Sequence, residues 1–431
     1  MRFLITLVIL LFMAAPVAAQ VAGLTIARDI RYAETAGTSA TLQSLDIYSP
    51  ANASKAPVVI LVHGGGWQTG SKSSASFVTN KVAYFSARGF VTVSINYRLS
   101  PAVVHPAHVD DVAAALAWTR RNIPAHGGDP ERIFLLGHSA GAHLVSLIAT
   151  DETRLAAQGE TLAAIKGVIV LDTASFDIST RYAGGGDDGS GQSVGIIGQA
   201  FGSQPFGHRD ASPQIHVASN KSVPAFLLCY VASRSDSPIA TQQFAAALTT
   251  AGVANTVLAG QGYSHETINT TFGLANEPTT LAATAFLDAQ LAVLAPQLDA
   301  RYSGTWFDPL RSGEGLQFEF SQFADGQRVA IVTWYTYDLA GQPIYLGGSS
   351  TYQAGATRVT VPLVSTSGAR FGTGFNSASI QRIPWGVVDL EFPDCSNSRV
   401  TYRAINLGFG NGELRLSRIA APAPRNACSA P

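Results

Sequence analysis

Residues 132–141 constrain the fold of this chain more than any other stretch. Residues 133–136 form a short apolar run of the length and character of a buried parallel strand. The run leads into residues 137–141, which match the pattern Gly-x-Ser-x-Gly, and an apolar helical pattern follows. A strand that turns into a helix within about four residues holds the residue between them in a strained conformation. Because the flanking glycines lack Cβ atoms, this context predicts that Ser139 is exposed at the tip of the turn as a nucleophile.

Length and charge limit the class of protein. A chain of 431 residues is too long for one typical core, so we expect two domains. The net charge is −1 and only 13% of residues are charged, whereas nucleic acids and acidic lipids require basic clusters. We therefore expect no nucleic-acid partner.

Residues 1–19 are typical of a secretory signal peptide. Arg2 precedes an apolar run over residues 3–13, and small residues at 17–19 suit cleavage before Gln20. The run is shorter than the ~20 residues of a membrane-spanning helix. We expect a secreted or periplasmic protein without membrane attachment after cleavage.

Apolar strands alternate with helical patterns over residues 20–296. This alternation predicts an α/β domain with a mostly parallel sheet and helices on both faces. Residues 173–222 show no regular pattern, and we expect this insertion to overhang the site as a cap. The strands are expected at 57–62, 90–95, 133–136, 167–171, 225–231 and 256–258, and helices at 109–122, 241–251 and 279–294.

The chain changes character after a predicted linker at residues 297–303. Residues 316–320 and 329–337 alternate between apolar and polar side chains, and turns separate them. This pattern predicts an appended all-β domain over residues 304–431, a small sandwich or barrel. Its tryptophans are expected mainly in the core, with a carbohydrate-binding platform as the alternative; they are Trp306, Trp334 and Trp385.

A serine nucleophile needs donors for the oxyanion that it generates. The segment His-Gly-Gly-Gly at 63–66 directly follows a predicted strand, so its backbone N–H groups can face a substrate carbonyl. We predict that Gly64, Gly65 and Ala140 form the oxyanion hole, and that His63 fastens the loop. Trp67 is predicted to line the substrate pocket, with a role in the aromatic core as the alternative.

The serine also needs a base and a carboxylate that orients it. Of the nine histidines, His265 follows the last predicted strand across a glycine loop, where the chain order Ser…Asp…His places the base. Asp236 follows the strand between serine and histidine and is the predicted acid, although an aspartate there also suits the N-cap of the next helix. Asp172 and Asp177 are the reserve candidates.

We expect neither a metal nor an organic cofactor. His105 and His108 precede two aspartates in a proline-containing loop, and no further ligand cluster supports a metal site there. The pair Asp187 and Asp188 is expected in a solvated loop.

The three cysteines have different expected roles. Cys229 lies in an apolar run and is expected as a buried core thiol. Cys395 and Cys428 share the C-terminal region, and in an exported protein we predict that they form a disulfide.

Taken together, the motifs of residues 40–292 resemble those of the α/β-hydrolase superfamily. The resemblance is strongest to a secreted carboxylesterase group that includes bacterial feruloyl-esterase-like and kynurenine-formamidase-like esterases. In that group the acid usually stands in Gly-x-x-Asp, whereas Ala232 or Ser233 occupies the glycine position here. The matching residues are His63-Gly64-Gly65-Gly66-Trp67, Asn96-Tyr97-Arg98, Gly128 to Ile133, Gly137 to Leu144, and His265 with Ile268.

The resemblance implies a secreted serine carboxylesterase with an acyl-enzyme intermediate and a Ser139, His265, Asp236 triad. Its substrate would be a small ester or an ester-decorated polymer. The alternatives are an arylformamidase-like amidase and a non-catalytic binding protein on the same scaffold. Residues 304–315 resemble the signature of a β domain appended to secreted bacterial proteins. Nothing in the sequence indicates the oligomeric state.

Overall fold

The computed structural model describes residues 23–183, 193–294, 297–370, 372–393, 395–405 and 408–419. The chain divides into two compact units, Met1–Gln290 and Leu291–Pro431. The predicted signal peptide, the Asp187/Asp188 pair and Cys428 lie outside the described residues, so these expectations remain predictions. None of the helices in the described ranges combines the length and apolarity needed to cross a membrane.

The first unit contains an eight-stranded sheet in the order β1-β2-β4-β3-β5-β6-β7-β8. At one edge, β1 pairs with β2 and β2 with β4, both antiparallel. From β4 onwards, neighbouring strands in this order pair in parallel. The strands are β1 Leu24–Arg31, β2 Ser44–Pro50, β3 Ala56–Val62, β4 Val91–Ile95, β5 Gly128–His138, β6 Ile165–Leu171, β7 Phe226–Val231 and β8 Asn255–Gly260.

The interior strands are apolar because helices cover both faces of the sheet. Every residue of β4 and β7 is buried, as are Ile133–His138 of β5. The helices are α1 Ala75–Ala87, α2 Ala107–Asn122, α3 Ala140–Ile148, α4 Glu152–Ala156, α5 Ile178–Ala183, α6 Ser193–Phe201, α7 Pro205–Asp210, α8 Pro213–His216, α9 Ser237–Thr250, α10 Thr267–Thr270 and α11 Pro278–Leu294. The predicted mostly parallel α/β architecture is confirmed.

The insertion between β6 and β7 carries the short helices α5 to α8. This connection leaves the carboxyl end of β6, the edge of a parallel sheet at which ligands bind. Ile197 of α6 is buried, and Ile196 beside it lines a cavity next to Ser139. The segment thus covers that edge, as expected for a cap.

The second unit is a closed barrel in which all neighbouring strands pair antiparallel. Strand β16 pairs with β9 and closes it. The strands are β9 Gly304–Phe307, β10 Gly315–Gln322, β11 Arg328–Tyr337, β12 Pro343–Tyr352, β13 Arg358–Ser367, β14 Gln381–Glu391, β15 Asn397–Ala404 and β16 Asn411–Arg418. The predicted all-β domain is therefore confirmed, as a barrel.

Aromatic side chains fill the barrel. Trp306, Trp334 and Trp385 are 0%, 3% and 7% exposed and belong to its core, so they form no exposed platform. Leu298 and Tyr302 are buried in the same core. The predicted linker at 297–303 is consequently part of the barrel unit.

Candidate active site

Ser139 lies at the turn from β5 to α3, with φ 56° and ψ −118°. A Cβ on Gly137 would lie 2.3 Å from the carbonyl oxygen of Gly141, and one on Gly141 would lie 2.1 Å from that of Val62. No side chain larger than hydrogen fits at either position without moving the backbone. The two glycines allow β3, β5 and α3 to meet closely enough to hold the serine in this strained conformation.

The structure brings Ser139 and His265 together across 126 positions of sequence. His265 follows β8, and its Nε2 lies 2.9 Å from the Ser139 hydroxyl. Its Nδ1 lies 2.5 Å from a carboxylate oxygen of Asp172. Because a carboxylate only accepts, Nδ1 carries the proton and Nε2 can accept one from the serine.

Asp172 directly follows β6 and is completely buried. It also accepts hydrogen bonds from the Val231 amide at 2.9 Å and the Ser237 hydroxyl at 2.7 Å. Burial acts to raise the pKa of this carboxyl, but the hydrogen bond from His265, the guanidinium of Arg234 and these two donors lower it to about 2. Asp172 is therefore ionised at neutral pH.

Asp236, the acid predicted from the sequence, is not the partner of His265, and that assignment is wrong. It stands at the N-cap of α9, where it accepts from the Ser237 amide at 2.7 Å. Its carboxylate also pairs with Arg234 and Arg181, at 2.8 Å and 3.1 Å. Asp172, which directly follows the neighbouring strand β6, contacts the ring in its place. The other reserve candidate, Asp177, accepts from Thr180 in the cap.

The His-Gly-Gly-Gly loop follows β3 beside the serine. Gly64 is so close to β5 that a Cβ on it would lie 3.0 Å from the His138 carbonyl oxygen, and Gly65 has φ +112°. Gly66 and Ala140 line the cavity at Ser139, whereas Gly64 and Gly65 are absent from the described lining. The Nδ1 of His63 lies 2.7 Å from the Gly64 carbonyl oxygen, a bond internal to the loop.

A cavity of about 180 Å³ opens at Ser139. Its lining includes the apolar side chains of Trp67, Ile196 and Ile197 and the polar side chains of Thr173, Ser175, Arg181 and Arg234. Trp67 is also 4% exposed and donates its indole N–H to His143 Nδ1 at 3.3 Å. The tryptophan thus lines the cavity and packs in the core at once, so the two roles considered for it are compatible.

The other histidines near the site are buried and uncharged. Burial lowers the pKa of His138 and of His143 to about 3. His138 Nε2 lies 2.9 Å from the carbonyl oxygen of His265, a bond that holds the loop of the base. Within the described part of the chain, the ring nitrogens of these two residues hydrogen-bond to other groups than the serine hydroxyl.

One group of described residues has the spacing of a metal site: Asp151, Asp210 and His216. Arg154 forms ion pairs with both carboxylates, and His105 Nε2 lies 2.7 Å from Asp210. These contacts already compensate the acidic charge. Elsewhere, burial raises the pKa of the Cys229 thiol, which is a core residue as expected.

A parallel sheet with a strained serine between β5 and α3, and a histidine after β8, defines the α/β-hydrolase fold. The BD-FAE family model matches residues 45–248, which span β2 to α9. Esterase LipQ of Mycobacterium tuberculosis is 44% identical over 95 residues, 22% of each chain. The isoprenylcysteine alpha-carbonyl methylesterase ICME of Arabidopsis thaliana is 34% identical over 119 residues, 27% of each chain. The chain thus spans about a quarter of the length of these relatives.

Solved structures support the same fold. The crystal structure of an inhibited esterase B from Lactobacillus rhamnosis superposes with a TM-score of 0.52 at 21% identity, over 63% of this chain and 88% of that one. A truncated carbohydrate esterase from gut microbiota gives 0.50 at 20% identity, over 62% and 96%. The first unit therefore has the α/β-hydrolase fold, and its sequence is similar to the BD-FAE family model and to relatives named as esterases.

Proposed function

We propose that this protein hydrolyses carboxylic esters through an acyl-enzyme formed on Ser139. The observation that carries the proposal is the pair of contacts at His265, 2.9 Å to the serine hydroxyl and 2.5 Å to Asp172. A histidine held in this tautomer between a carboxylate and a hydroxyl is the arrangement that activates a serine.

In the first half of the reaction, the Ser139 oxygen attacks the ester carbonyl carbon while His265 Nε2 takes the hydroxyl proton. The ionised Asp172 stabilises the imidazolium that results. As the tetrahedral intermediate collapses, Nε2–H gives its proton to the departing alcohol. In the second half, Nε2 deprotonates a water molecule that attacks the acyl carbon. The second tetrahedral intermediate then collapses, the bond to the Ser139 oxygen breaks, and Nε2–H returns the proton to that oxygen as the acid leaves.

The backbone N–H groups of Ala140 and Gly66 are the proposed oxyanion donors. Both residues line the cavity at Ser139. Gly64 stays a candidate donor, because a Cβ on it would lie 3.0 Å from the Ser139 Cβ. Loss of one such donor typically costs about 3 kcal/mol of transition-state stabilisation. The donors belong to the backbone, so their contribution depends on the loop conformation that Gly65 and Gly66 adopt with positive φ.

The cavity supports a small or short-chain acyl group. Its volume of about 180 Å³ and the apolar side chains of Trp67 and Ile196 in its lining suit an aliphatic chain or a compact ring. Ester hydrolysis also appears in the names of the relatives LipQ and ICME. The alcohol portion, small or polymeric, would extend from the cavity toward solvent.

We further propose that the protein is exported and acts outside the cytoplasm. The proposal rests on the charge and hydropathy of residues 1–19. Cell fractionation followed by N-terminal sequencing of the mature protein tests it. A mature chain that retains Arg2 would contradict it.

Hydrolysis of p-nitrophenyl acetate and butyrate by the wild type and by Ser139→Ala tests the central proposal. We expect the variant to lose activity by at least about 10³-fold. Equal rates would instead favour a non-catalytic binding protein. Longer-chain and feruloyl esters, with N-formyl aryl amines in parallel, rank the ester substrates against the amidase alternative.

A further inference from the structure

The guanidinium of Arg234 lies beside the proposed catalytic pair. Its Nη1 is 3.3 Å from Asp172 Oδ2 and 2.9 Å from His265 Nδ1. Arg234 follows β7, so it approaches the pair from a different strand end than either member. The α/β-hydrolase mechanism described above assigns this arginine no role.

This cation has two opposing effects on the pair. It stabilises the ionised form of Asp172, which favours catalysis. It also lies next to a ring that must become positively charged in the transition state, and a like charge at this distance opposes that step. Nδ1–H donates its hydrogen bond to Asp172, so Nδ1 has no free lone pair with which to accept a hydrogen bond from Arg234.

Asp236 offsets this opposition. Its two carboxylate oxygens accept from Nε and Nη2 of Arg234 at 2.9 Å and 2.8 Å, the fork-like geometry of a strong pair. Burial acts to raise the pKa of Asp236, but the guanidiniums of Arg234 and Arg181 outweigh it and lower that pKa. The aspartate is therefore an anion in the pH range of an esterase assay.

We infer that Asp236 is a positioning residue that compensates the charge of Arg234, so that Arg234 can hold Asp172 without opposing protonation of His265. Arg181 of α5 forms a second ion pair with the Asp236 carboxylate. Because α5 belongs to the insertion between β6 and β7, this ion pair joins the insertion to the charged group around His265. The inference rests on the proposed function. Asp236, which the sequence predicted as the acid of the triad, thus has a different role in the same reaction.

Charged and titratable groups face the His265 ring from three sides. Asp172 approaches from the end of β6 and Arg234 from the loop after β7. The ring of His138 of β5 packs against the His265 ring, with centroids 4.7 Å apart and the planes tilted by 37°. Burial lowers the pKa of His138 to about 3, so this neighbour stays neutral above pH 4 or so and contributes no charge.

The variant Asp236→Asn separates charge from capping, because asparagine caps a helix as well as aspartate does. We expect kcat for p-nitrophenyl acetate to fall by about tenfold, with KM little changed, because Arg234 without the Asp236 carboxylate opposes the imidazolium more strongly. For the same reason, the acid limb of the kcat/KM profile should move to lower pH by about one unit.

The double variant Arg234→Met, Asp236→Asn is the second arm. With both charges removed, the acid limb should return toward its wild-type position even if kcat stays low, because Asp172 has lost a partner. Arg120→Met is the matched control: this arginine also pairs with two carboxylates, Glu131 and Glu160, and does not line the described cavity. Its pH profile should equal that of the wild type.

Two results would overturn the inference. One is an Asp236→Asn profile that coincides with the wild type; the other is a loss of kcat with a lower melting temperature and no movement of the acid limb, which would indicate a structural role. Ser139→Ala, assayed in parallel, distinguishes a failure of the inference from a failure of the proposed function. If Ser139→Ala keeps full activity, the proposed function is wrong. If Ser139→Ala is inactive and the pH profile of Asp236→Asn equals that of the wild type, only the charge-balancing role of Asp236 is wrong.

Discussion

Two aspartates at neighbouring strand ends differ by contacts that only the folded chain creates. Asp172 is buried against His265, Val231 and Ser237, while Asp236 faces two arginines and the first turn of α9. Each carboxylate is ionised, but only that of Asp172 contacts His265. Substitution at the two positions should therefore have effects of very different size.

We predict that Asp172→Asn lowers kcat by about 10⁴-fold, because an amide no longer fixes the tautomer or stabilises the imidazolium. Steady-state hydrolysis of p-nitrophenyl acetate measures this effect. Asp236→Asn provides the comparison, with its expected loss of about tenfold. A similar loss in both variants would contradict the assignment of Asp172 as the partner of His265.

Buried neutral histidines predict acid sensitivity. Burial lowers the pKa of His63 and His108 to about 4, and that of His138 and His143 to about 3. In the unfolded chain a histidine has a pKa of about 6.5, so the unfolded state binds more protons as the pH falls from about 6.5 to about 3. The free energy of unfolding should decline through this window, by at most about 1.4 kcal/mol per pH unit for each histidine.

Urea unfolding at several pH values measures this decline. His143→Gln tests one contributor, since it removes a proton-binding group of the unfolded chain and keeps polar atoms near Trp67 and Ala211. The variant should show a shallower loss of stability with falling pH, whatever its stability at neutral pH. An unchanged slope would show that His143 does not take part.

At the scale of elements, the strand–turn–helix unit around Ser139 depends on backbone contact. We predict that Gly141→Ala destabilises the first unit by several kcal/mol, because the new Cβ would lie 2.1 Å from the Val62 carbonyl oxygen and force α3 away from β3. Thermal unfolding and the yield of soluble protein report the change.

Gly195→Ala is the matched control for that substitution. Gly195 lies in α6, and, its chain neighbours and the adjacent helix backbone aside, no described atom lies within 4 Å of the Cβ it would gain. Alanine in a helix is favoured over glycine by roughly 0.5–1 kcal/mol, so this variant should be as stable as the wild type or slightly more stable. Equal damage from both changes would argue against the close approach at Gly141.

Local patterns predicted the elements well because each depends on nearby residues. The buried strand at β3, the helix α2 and the turn at Ser139 all follow from short-range spacing of apolar residues and glycines. The choice between Asp172 and Asp236 does not, since both follow apolar strands and differ only in which loop reaches His265. The position of Arg234 and the lining by Gly66 are likewise tertiary facts without a local signal.

At the scale of the whole molecule, each unit has its own hydrophobic core. A substitution that destabilises the barrel should therefore leave the rate of ester hydrolysis unchanged. Trp306 is completely buried, and its indole N–H donates to the Tyr302 carbonyl oxygen at 3.2 Å. We predict that Trp306→Ala destabilises the barrel by about 3–5 kcal/mol and leaves the hydrolysis rate of a soluble ester unchanged.

Differential scanning calorimetry and the p-nitrophenyl acetate assay measure the two parts of this prediction. Leu310→Ala is the control, because Leu310 is 93% exposed and should tolerate truncation. A parallel loss of esterase rate in Trp306→Ala would show that the catalytic unit depends on the barrel core.

Sequence patterns could not predict whether the strands of the second unit form a closed barrel or a sandwich. Alternation along β10 and β11 fixes which face of each strand is buried, and this holds for a sandwich as well as for a barrel. The pairing of Ser417 with Phe307 decides between them, and it joins residues that are far apart in the chain.

The same pairing sets the order of events during synthesis. Strand β9 leaves the ribosome first among the barrel strands, yet its second neighbour is β16, which emerges last. Until β16 emerges, the growing barrel sheet has two unpaired edge strands and its apolar face is exposed to water. The first unit, which is synthesised earlier, already has all eight strands of its sheet. A ribosome that stalls before Asn411 would therefore release a complete first unit joined to an unclosed and aggregation-prone tail.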